Sequence, residues 1–222
     1  MTVEGFEAAA EAVLFDMDGT LVDSTAVTVE CWTRWAAEYG VGREEFARVH
    51  AHGRPSAEII ADLLPAGEVA AANRRIEELE VAAAEGVRVL PGTRELLAAL
   101  PARRWAVVTS CTAPLAEARL AAAGIEPPEL VTADDVARGK PDPEPFALGA
   151  RRLGAEPGRC VAVEDAPAGL ASARAAGMVA IAVATSHSPE ALTADVVVTD
   201  LRSVRARVEP DGVRLWAGPP LR

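Results

Sequence analysis

The stretch VLFDMDGTLVDS, residues 13–24, places two carboxylates close together. Asp16 and Asp18 are two residues apart at the end of an apolar run, and they are followed by Gly19, a residue suited to tight turns. Like charges at this spacing repel each other, and the repulsion costs more where water is excluded. A stable chain tolerates such a pair where other groups compensate it, so the stretch indicates a site for chemistry.

Three further polar clusters follow or adjoin short apolar runs. Thr109 and Ser110 come after one such run, and Glu164 and Asp165 come at the end of another. Lys140 opens the loop GKPDPEPF before a helical pattern, and it is the single lysine in a chain with 21 arginines. Composition alone does not explain this lysine as a solvated surface charge.

Apolar runs alternate with helical patterns along most of the chain. Such continuous runs are expected of parallel strands covered on both faces, and the alternation predicts a doubly wound parallel sheet with right-handed crossovers. The helical patterns at 114–124, 142–154 and 166–177 have Pro in or near the first turn and end on Gly. The tail RVEPDGVRLWA predicts a hairpin about residues 210–212. The predicted strands are AVLF (12–15), WAVVT (105–109), a weaker ELVTA (129–133), CVAVE (160–164), VAIAVAT (179–185) and DVVVT (195–199).

The alternation is interrupted once, between residues 25 and 86. Only helical patterns occur there, punctuated by Pro and Gly, directly after the first strand and its acidic loop. We therefore expect an α/β core formed by residues 1–23 and 88–222, with a helical insert formed by residues 24–87. The insert could be a decorative subdomain, but its position beside the acidic loop favours a role at the site.

Ligands of a doubly wound sheet bind in the crevice at the carboxyl ends of its strands. The polar clusters lie at such ends or just beyond one, so the sheet would gather four carboxylates, two hydroxyls and one ammonium. Four carboxylates cannot share a small site in the ionised state unless a cation offsets them. A hard cation with oxygen ligands, such as Mg²⁺, fits this requirement.

Each cluster taken alone has a simpler interpretation. The hydroxyls at 109–110 could cap a strand end, and the acids at 164–165 could complement a helix dipole. The pair Asp134-Asp135 is similar to the latter, but a solvated turn is expected there. His187, in TSHSPEAL, is expected to be a loop histidine beside a helix start.

Four ordered motifs carry a family resemblance: DMDGTLVDS, VVTS, GKPDPEPF and VEDAPAGLASARAAG. In this order they resemble the four motifs of the haloacid dehalogenase superfamily of phosphatases, over residues 13 to about 201. The resemblance implies a Rossmann-like core, and the helical insert is similar to that family's cap domain. The stretches HGRPSAEII and VVTSCTAPLAEARL are similar to the subgroup that hydrolyses sugar and polyol phosphates.

The resemblance implies a catalytic role for each motif. Asp16 would be the nucleophile that forms an aspartyl-phosphate, and Asp18 would protonate the leaving alkoxide and then deprotonate water. Thr109, with nearby backbone amides, would hold the phosphoryl oxygens, and Lys140 would bind both phosphate and nucleophile. The implied substrate is a small phosphorylated sugar or polyol.

The resemblance also implies the ligands of the metal. Mg²⁺ would be held by Asp16, the backbone carbonyl of Asp18 and Asp165, with Glu164 acting through water. The candidate contacts to the substrate are Ser110 and, from the helical insert, His52, Arg54 and Ser56.

Other members of the superfamily provide the main alternatives. A phosphosugar mutase shares all four motifs but needs a cap that grips a second phosphate, and the Gly-x-x-Arg pattern of related mutases is broken because Arg54 follows Gly53 directly. A phosphonoacetaldehyde hydrolase needs a cap lysine, which residues 24–87 lack, and a dehalogenase does not need the metal set. A non-enzymatic binding module is disfavoured because every motif position is filled.

Composition excludes several classes of partner. The formal net charge of −11, from 22 basic and 33 acidic residues, argues against nucleic acid and against an anionic membrane. No apolar run reaches transmembrane length, and the first twelve residues carry acids where a signal peptide needs basic residues. Three scattered cysteines favour a reducing cytoplasm. We expect a monomer or a homodimer.

Overall fold

The computed structural model describes residues 5–49 and 56–218, so the candidate substrate residues His52 and Arg54 lie outside the described residues. Eleven strands are described: β1 (Phe6–Ala10), β2 (Ala12–Phe15), β3 (Val22–Asp23), β4 (Arg88–Val89), β5 (Trp105–Val108), β6 (Leu130–Val131), β7 (Cys160–Glu164), β8 (Val179–Val183), β9 (Val196–Val198), β10 (Val204–Glu209) and β11 (Gly212–Ala217). The α-helices are α1 (Thr25–Glu38), α2 (Arg43–Val49), α3 (Ser56–Ala61), α4 (Ala66–Ala82), α5 (Thr93–Ala98), α6 (Ala113–Ala123), α7 (Glu144–Arg152) and α8 (Pro167–Ala175).

The main sheet has six parallel strands in the order β6-β5-β2-β7-β8-β9. All six correspond to the apolar runs of the sequence, and the doubly wound fold is confirmed. Strand β2 lies in the centre, and each of its four residues is buried. Its side chains alternate between two apolar layers, with Val13 and Phe15 in one and Ala12 and Leu14 in the other. Helices cover both layers, which is why the strands of the main sheet are apolar; the exception is Glu164, the last residue of β7.

The helices after the predicted strands form where the Pro–Gly pattern indicates. Pro lies in the first turn of α6, α7 and α8, and Gly124 ends α6 in the left-handed conformation with φ of 62°. One expected boundary differs. Helix α7 begins at Glu144, after the N-cap residue Pro143, rather than at residue 142, and the Asp142 side chain accepts a 3.0 Å hydrogen bond from the Glu144 amide just before the helix.

The first twelve residues contribute a strand that the sequence does not reveal. Strand β1 pairs antiparallel with β11, which pairs in turn with β10. The hairpin about residues 210–212 is confirmed, with a two-residue turn at Pro210 and Asp211 because Glu209 pairs with Gly212. An Ala-rich, acidic segment has little strand propensity of its own, so the partner strand decides its conformation.

Helices α1 to α4 of the helical insert pack around an apolar cluster of their own. Trp32, Trp35, Ile60 and Ile76 belong to it, and the Trp35 indole donates a 2.9 Å hydrogen bond to the carbonyl oxygen of Ala72. Strands β3 and β4 pair antiparallel where the insert leaves and rejoins the core. These findings support the division at 23/24 and 87/88, which stays a prediction. Within the described part of the chain, no helix has the length and apolar character needed to span a bilayer.

Candidate active site

The carboxyl ends of three neighbouring strands bring the polar clusters together. Asp16 follows β2, Thr109 follows β5, and Glu164 ends β7. Because β5 and β7 are the two neighbours of β2, these side chains meet at one edge of the sheet. All three are buried, with exposures of 7%, 4% and 2%. The expected crevice therefore exists.

Lys140 reaches this edge from the loop before α7 and uses all three of its N–H donors. Its Nζ donates to Asp16 Oδ1 at 2.6 Å, to Glu164 Oε1 at 2.8 Å and to the carbonyl oxygen of Val108 at 2.9 Å. Burial alone would lower the pKa of Lys140, but Asp16 and Glu164 outweigh it and raise the pKa. The lysine therefore carries a positive charge that ties the nucleophile candidate to the fourth motif.

Asp16, Glu164 and Asp165 form an acidic cluster in which one oxygen of each lies within 4.8 Å of the others. Burial raises the pKa of Asp16. The positive charge of Lys140 lowers this pKa, whereas the nearby carboxylates of Glu164 and Asp165 raise it further. Burial and the neighbouring Glu164 likewise raise the pKa of Asp165 to about 7. Three buried carboxylates thus surround a single ammonium.

Two glycines leave room for the acidic cluster. A Cβ on Gly169 would lie 1.7 Å from Glu164 Oε1, and one on Gly19 would lie 2.1 Å from Asp165 Oδ2. Gly19 also has φ of 86°, a conformation that side chains rarely adopt. The glycine after Asp18 is therefore required by the approach of Asp165 as well as by the turn.

Asp165 is held by groups from two loops. Thr20 donates to its Oδ1 at 3.3 Å, and the Ser186 hydroxyl binds its Oδ2. Nδ1 of His187 lies 3.2 Å from the Asp165 carbonyl oxygen and 2.7 Å from the Ser186 hydroxyl. His187 is thus a loop histidine, as expected, but it lies beside the site. Ser186 was missed, although it follows β8, whose carboxyl end is next to that of β7.

Asp18 lies in a second group of charges. Its Oδ2 forms a 2.9 Å ion pair with Nη1 of Arg119 and accepts a 3.2 Å hydrogen bond from the thiol of Cys111. Arg119 lies on α6, and its Nη2 contacts Glu80 Oε1 and Thr28 Oγ1 of the helical insert, each at 3.2 Å. The sequence analysis missed Arg119, because an arginine within a helical pattern gives no sign of being buried.

The two hydroxyls of the second motif have different surroundings. Thr109 Oγ1 accepts a 3.1 Å hydrogen bond from the Cys111 amide, which leaves its own hydrogen free to donate. Ser110 is exposed and lines a cavity.

The Asp134-Asp135 turn is exposed, as the sequence predicts. The Asp134 carboxylate also accepts a hydrogen bond from the Ala113 amide at the start of α6.

A cavity of about 270 Å³ lies between the strand ends and the helical insert. Ser56, the described one of the three candidate insert residues, lines it and donates a 2.7 Å hydrogen bond to Asn73 Oδ1. Glu77 also lines it and accepts a hydrogen bond from the Thr112 hydroxyl. The cavity wall is therefore polar on the side of α4. Its apolar lining consists of Trp32, Ile59, Ile76 and Leu115.

Comparison with known proteins agrees with this geometry. The family model of the haloacid dehalogenase-like hydrolases matches residues 10–177. Hexitol phosphatase A of Escherichia coli is 40% identical over 90% of this chain and 95% of its own length. Validoxylamine A 7'-phosphate phosphatase of Streptomyces hygroscopicus is 38% identical over 88% of this chain and 96% of its own length.

Solved structures show the same fold. CbbY of Rhodobacter sphaeroides, determined in complex with phosphate, has a TM-score of 0.74 and 30% identity over 86% of this chain and 95% of its own. A candidate β-phosphoglucomutase of Thermotoga maritima has a TM-score of 0.67 and 29% identity over the same shares. The named relatives confirm the expectation of a phosphatase. The chain belongs to the haloacid dehalogenase-like hydrolase family.

Proposed function

We propose that this phosphatase hydrolyses small sugar or polyol phosphate monoesters with Mg²⁺, through a phosphorylated Asp16. The observation that carries the proposal is the buried Lys140, whose ammonium joins Asp16 to Glu164 beside Asp165. If Lys140 served only to form a structural ion pair, one carboxylate would be enough. Three carboxylates at the end of a central strand, next to a cavity, fit phosphoryl transfer.

The acidic cluster fits a divalent cation. One ammonium does not balance three carboxylates in their ionised state, and the raised pKa values of Asp16 and Asp165 reflect this imbalance. Asp16, Asp165 and the Asp18 backbone carbonyl offer hard oxygen donors, with Glu164 beside them, and such donors suit Mg²⁺. When bound, the metal would neutralise charge on the transferring phosphoryl group.

In the proposed mechanism the reaction has two steps, in which Asp16 and Asp18 act directly. Asp16 attacks phosphorus and the ester P–O bond breaks, while Asp18 gives a proton to the leaving alkoxide. Water then attacks the same phosphorus, gives its proton to Asp18 and releases Asp16 as a carboxylate. Thr109 donates its free hydroxyl hydrogen to a phosphoryl oxygen, and Lys140 stays against Asp16.

The cavity supports a neutral, hydroxyl-bearing leaving group. Its wall on the side of the helical insert offers Ser56, Asn73 and Glu77 to hydroxyls, and its apolar residues suit a carbon skeleton. The named relatives act on a hexitol phosphate and on validoxylamine A 7'-phosphate, by their names. Both names describe small, phosphorylated, polar compounds. We infer a substrate of that class.

The named curated relatives favour hydrolysis over the mutase alternative, because both are phosphatases. Arg119, the arginine of the core that lines the cavity, is already paired with Asp18 and Glu80. We therefore expect release of inorganic phosphate rather than of an isomeric sugar phosphate.

We further propose that the helical insert acts as a cap that opens and closes over the crevice. Its two ends meet at the β3–β4 pair, so residues 24–25 and 86–92 could absorb a hinge motion. Closure would exclude water while the alcohol departs, and opening would release products.

Replacing the nucleophile tests the proposal directly. Asp16→Asn removes the anionic oxygen that would attack phosphorus, so kcat should fall by about three orders of magnitude or more. Phosphate release from 4-nitrophenyl phosphate and from a panel of sugar and polyol phosphates measures the effect. The control is Glu117→Gln, which changes an exposed carboxylate of α6. Activity within tenfold of wild type would remove Asp16 as the nucleophile.

A charge-conserving change tests the geometry at Lys140. Lys140→Arg should lower kcat by about a hundredfold, because a planar guanidinium cannot place donors on Asp16, Glu164 and Val108 at once. The matched control is Arg138→Lys, which makes the reverse swap at a side chain with 73% exposure in the same loop. A Lys140→Arg enzyme that keeps most of its activity would mean that Lys140 supplies only diffuse positive charge.

Thermal unfolding tests the metal site without any substrate. At an Mg²⁺ concentration of about a hundred times Kd, the wild-type Tm should rise by roughly 5–10 °C. Asp165→Asn should abolish this rise, yet it should leave the metal-free Tm unchanged or higher because it removes a charge that Glu164 repels. An equal Mg²⁺ shift in wild type and variant would contradict the assignment.

Substrate ranking tests the polar wall of the cavity. Glu77→Gln and Asn73→Ala should each lower kcat/KM for the preferred polyol phosphate by about tenfold, since each removes one or two hydrogen bonds to hydroxyls. Turnover of 4-nitrophenyl phosphate, which has no hydroxyls, should change little. Glu78→Gln, on the exposed side of α4, is the control. Equal losses on both substrates would argue against contact with the leaving group.

A further inference from the structure

Arg119 is a buried cation whose function the four motifs do not explain. It has 4% of its surface exposed and lies on α6, between the loop after β2 and the helical insert. Its guanidinium contacts three elements besides its own: Asp18 after β2, Thr28 on α1 and Glu80 on α4. Taking a charge out of water is costly, so a purely packing role is poorly explained.

The two ends of the guanidinium have different partners. Nη1 lies 2.9 Å from Asp18 Oδ2, whereas Nη2 lies 3.2 Å from Glu80 Oε1. Such a division uses the planar fork of arginine, which a single ammonium cannot reproduce. Arg119 therefore joins the proton-transfer carboxylate of the core to the helical insert.

The contacts distinguish the two oxygens of Asp18. Oδ2 accepts from Arg119 and from the Cys111 thiol, so Oδ1 is the oxygen that these contacts leave for another partner. Oδ1 is buried, and it has no hydrogen-bond partner among the residues that the structure describes. A buried polar atom without a partner is rare and calls for a functional explanation. Asp18 lines the cavity, so a bound leaving group can supply the missing partner.

We propose that Arg119 is a positioning residue for proton transfer: by holding Oδ2 of Asp18, it leaves Oδ1 for the leaving-group oxygen. Its contacts with Glu80 and Thr28 make this orientation depend on the helical insert lying over the core. The inference rests on the proposed function, in which Asp18 protonates the leaving alkoxide. It adds to that function a residue outside the four motifs.

Two substrates of similar size can show whether Arg119 positions Asp18 for proton transfer or only stabilises the fold. The 4-nitrophenolate group of 4-nitrophenyl phosphate leaves without a proton, whereas the alkoxide of benzyl phosphate needs one. Neither leaving group offers a hydroxyl to the cavity, so differences in recognition are small. The ratio of their kcat/KM values reports departure of the leaving group, and a general acid contributes about a hundredfold or more to that step.

The experiment compares wild type with Arg119→Met. The variant should lose about thirtyfold or more in kcat/KM for benzyl phosphate and no more than about threefold for 4-nitrophenyl phosphate. Arg119→Lys should give an intermediate ratio, because its ammonium can bind Asp18 but not Glu80 as well. An unchanged ratio in Arg119→Met would overturn the proposal.

A double variant separates the role of Arg119 at Asp18 from its role at Glu80. Arg119→Met leaves the buried Glu80 without its cation, so its Tm should fall, and adding Glu80→Gln should restore much of that loss. The benzyl to 4-nitrophenyl ratio should remain low in Arg119→Met/Glu80→Gln. Recovery of the ratio together with Tm would overturn the proposal. Wild type that releases phosphate neither from these two substrates nor from the panel of sugar and polyol phosphates would instead refute the proposed function.

Discussion

The ion pairs of the buried Lys140 ammonium with Asp16 and Glu164 are the interactions on which the site depends. Asp16, Glu164 and Asp165 lie at the end of the central strands with little access to water, and Lys140 is the cation in contact with Asp16 and Glu164. Without Lys140 these carboxylates would face one another uncompensated, at a cost of several kcal/mol. The surrounding structure serves this arrangement: Gly19 and Gly169 make room for the carboxylates, and the amides of Asp165 and Ala166 donate to Glu164 Oε2 at 2.8 Å. Burial of these carboxylates raises the pKa of Asp16 and of Asp165, a local cost in stability that functional sites commonly carry.

The second charge group, around Arg119, links this site to the helical insert. A buried guanidinium between Asp18 and Glu80 makes the core and the insert share one ion-pair network. Such a network is favourable only while the core and the insert are packed together, because loss of Asp18 or of Glu80 would leave part of the Arg119 charge unpaired. The polar wall of the cavity, formed by Asn73 and Glu77 of α4, comes into contact with the strand ends through the same packing of α4 on α6. The candidate general acid Asp18 and the polar wall of the cavity are thus positioned by the same contacts between the core and the insert.

Much of the fold was predictable because local signals agreed with the global structure. Parallel strands buried on both faces are apolar along nearly their whole length, so all six appear as continuous runs. Pro and Gly mark the ends of α6, α7 and α8 through φ restrictions that act within a few residues. Strand β1 gave no such signal, because its Ala-rich residues become a strand through pairing with β11, some 200 positions away. The start of α7 at Glu144 rather than at residue 142 likewise has no local signal in the sequence.

The sequence by itself determined which residues could form the site, since the rule that strand ends gather ligands needs only strand positions and chain order. It identified Asp16, Thr109, Lys140, Glu164 and Asp165 in this way, and the single lysine by composition. Only the tertiary structure decided the partners of these groups. Arg119 and Glu80 lie on helices that approach the strand ends from elsewhere in the chain, and no periodicity records which side chain a neighbouring element will bury. Ser186 lies in the loop after β8, so the rule on strand ends could have identified it. Whether a charge is solvated or paired depends on distances of a few ångströms between elements far apart in sequence, and those distances exist only once the helical insert and α6 have packed.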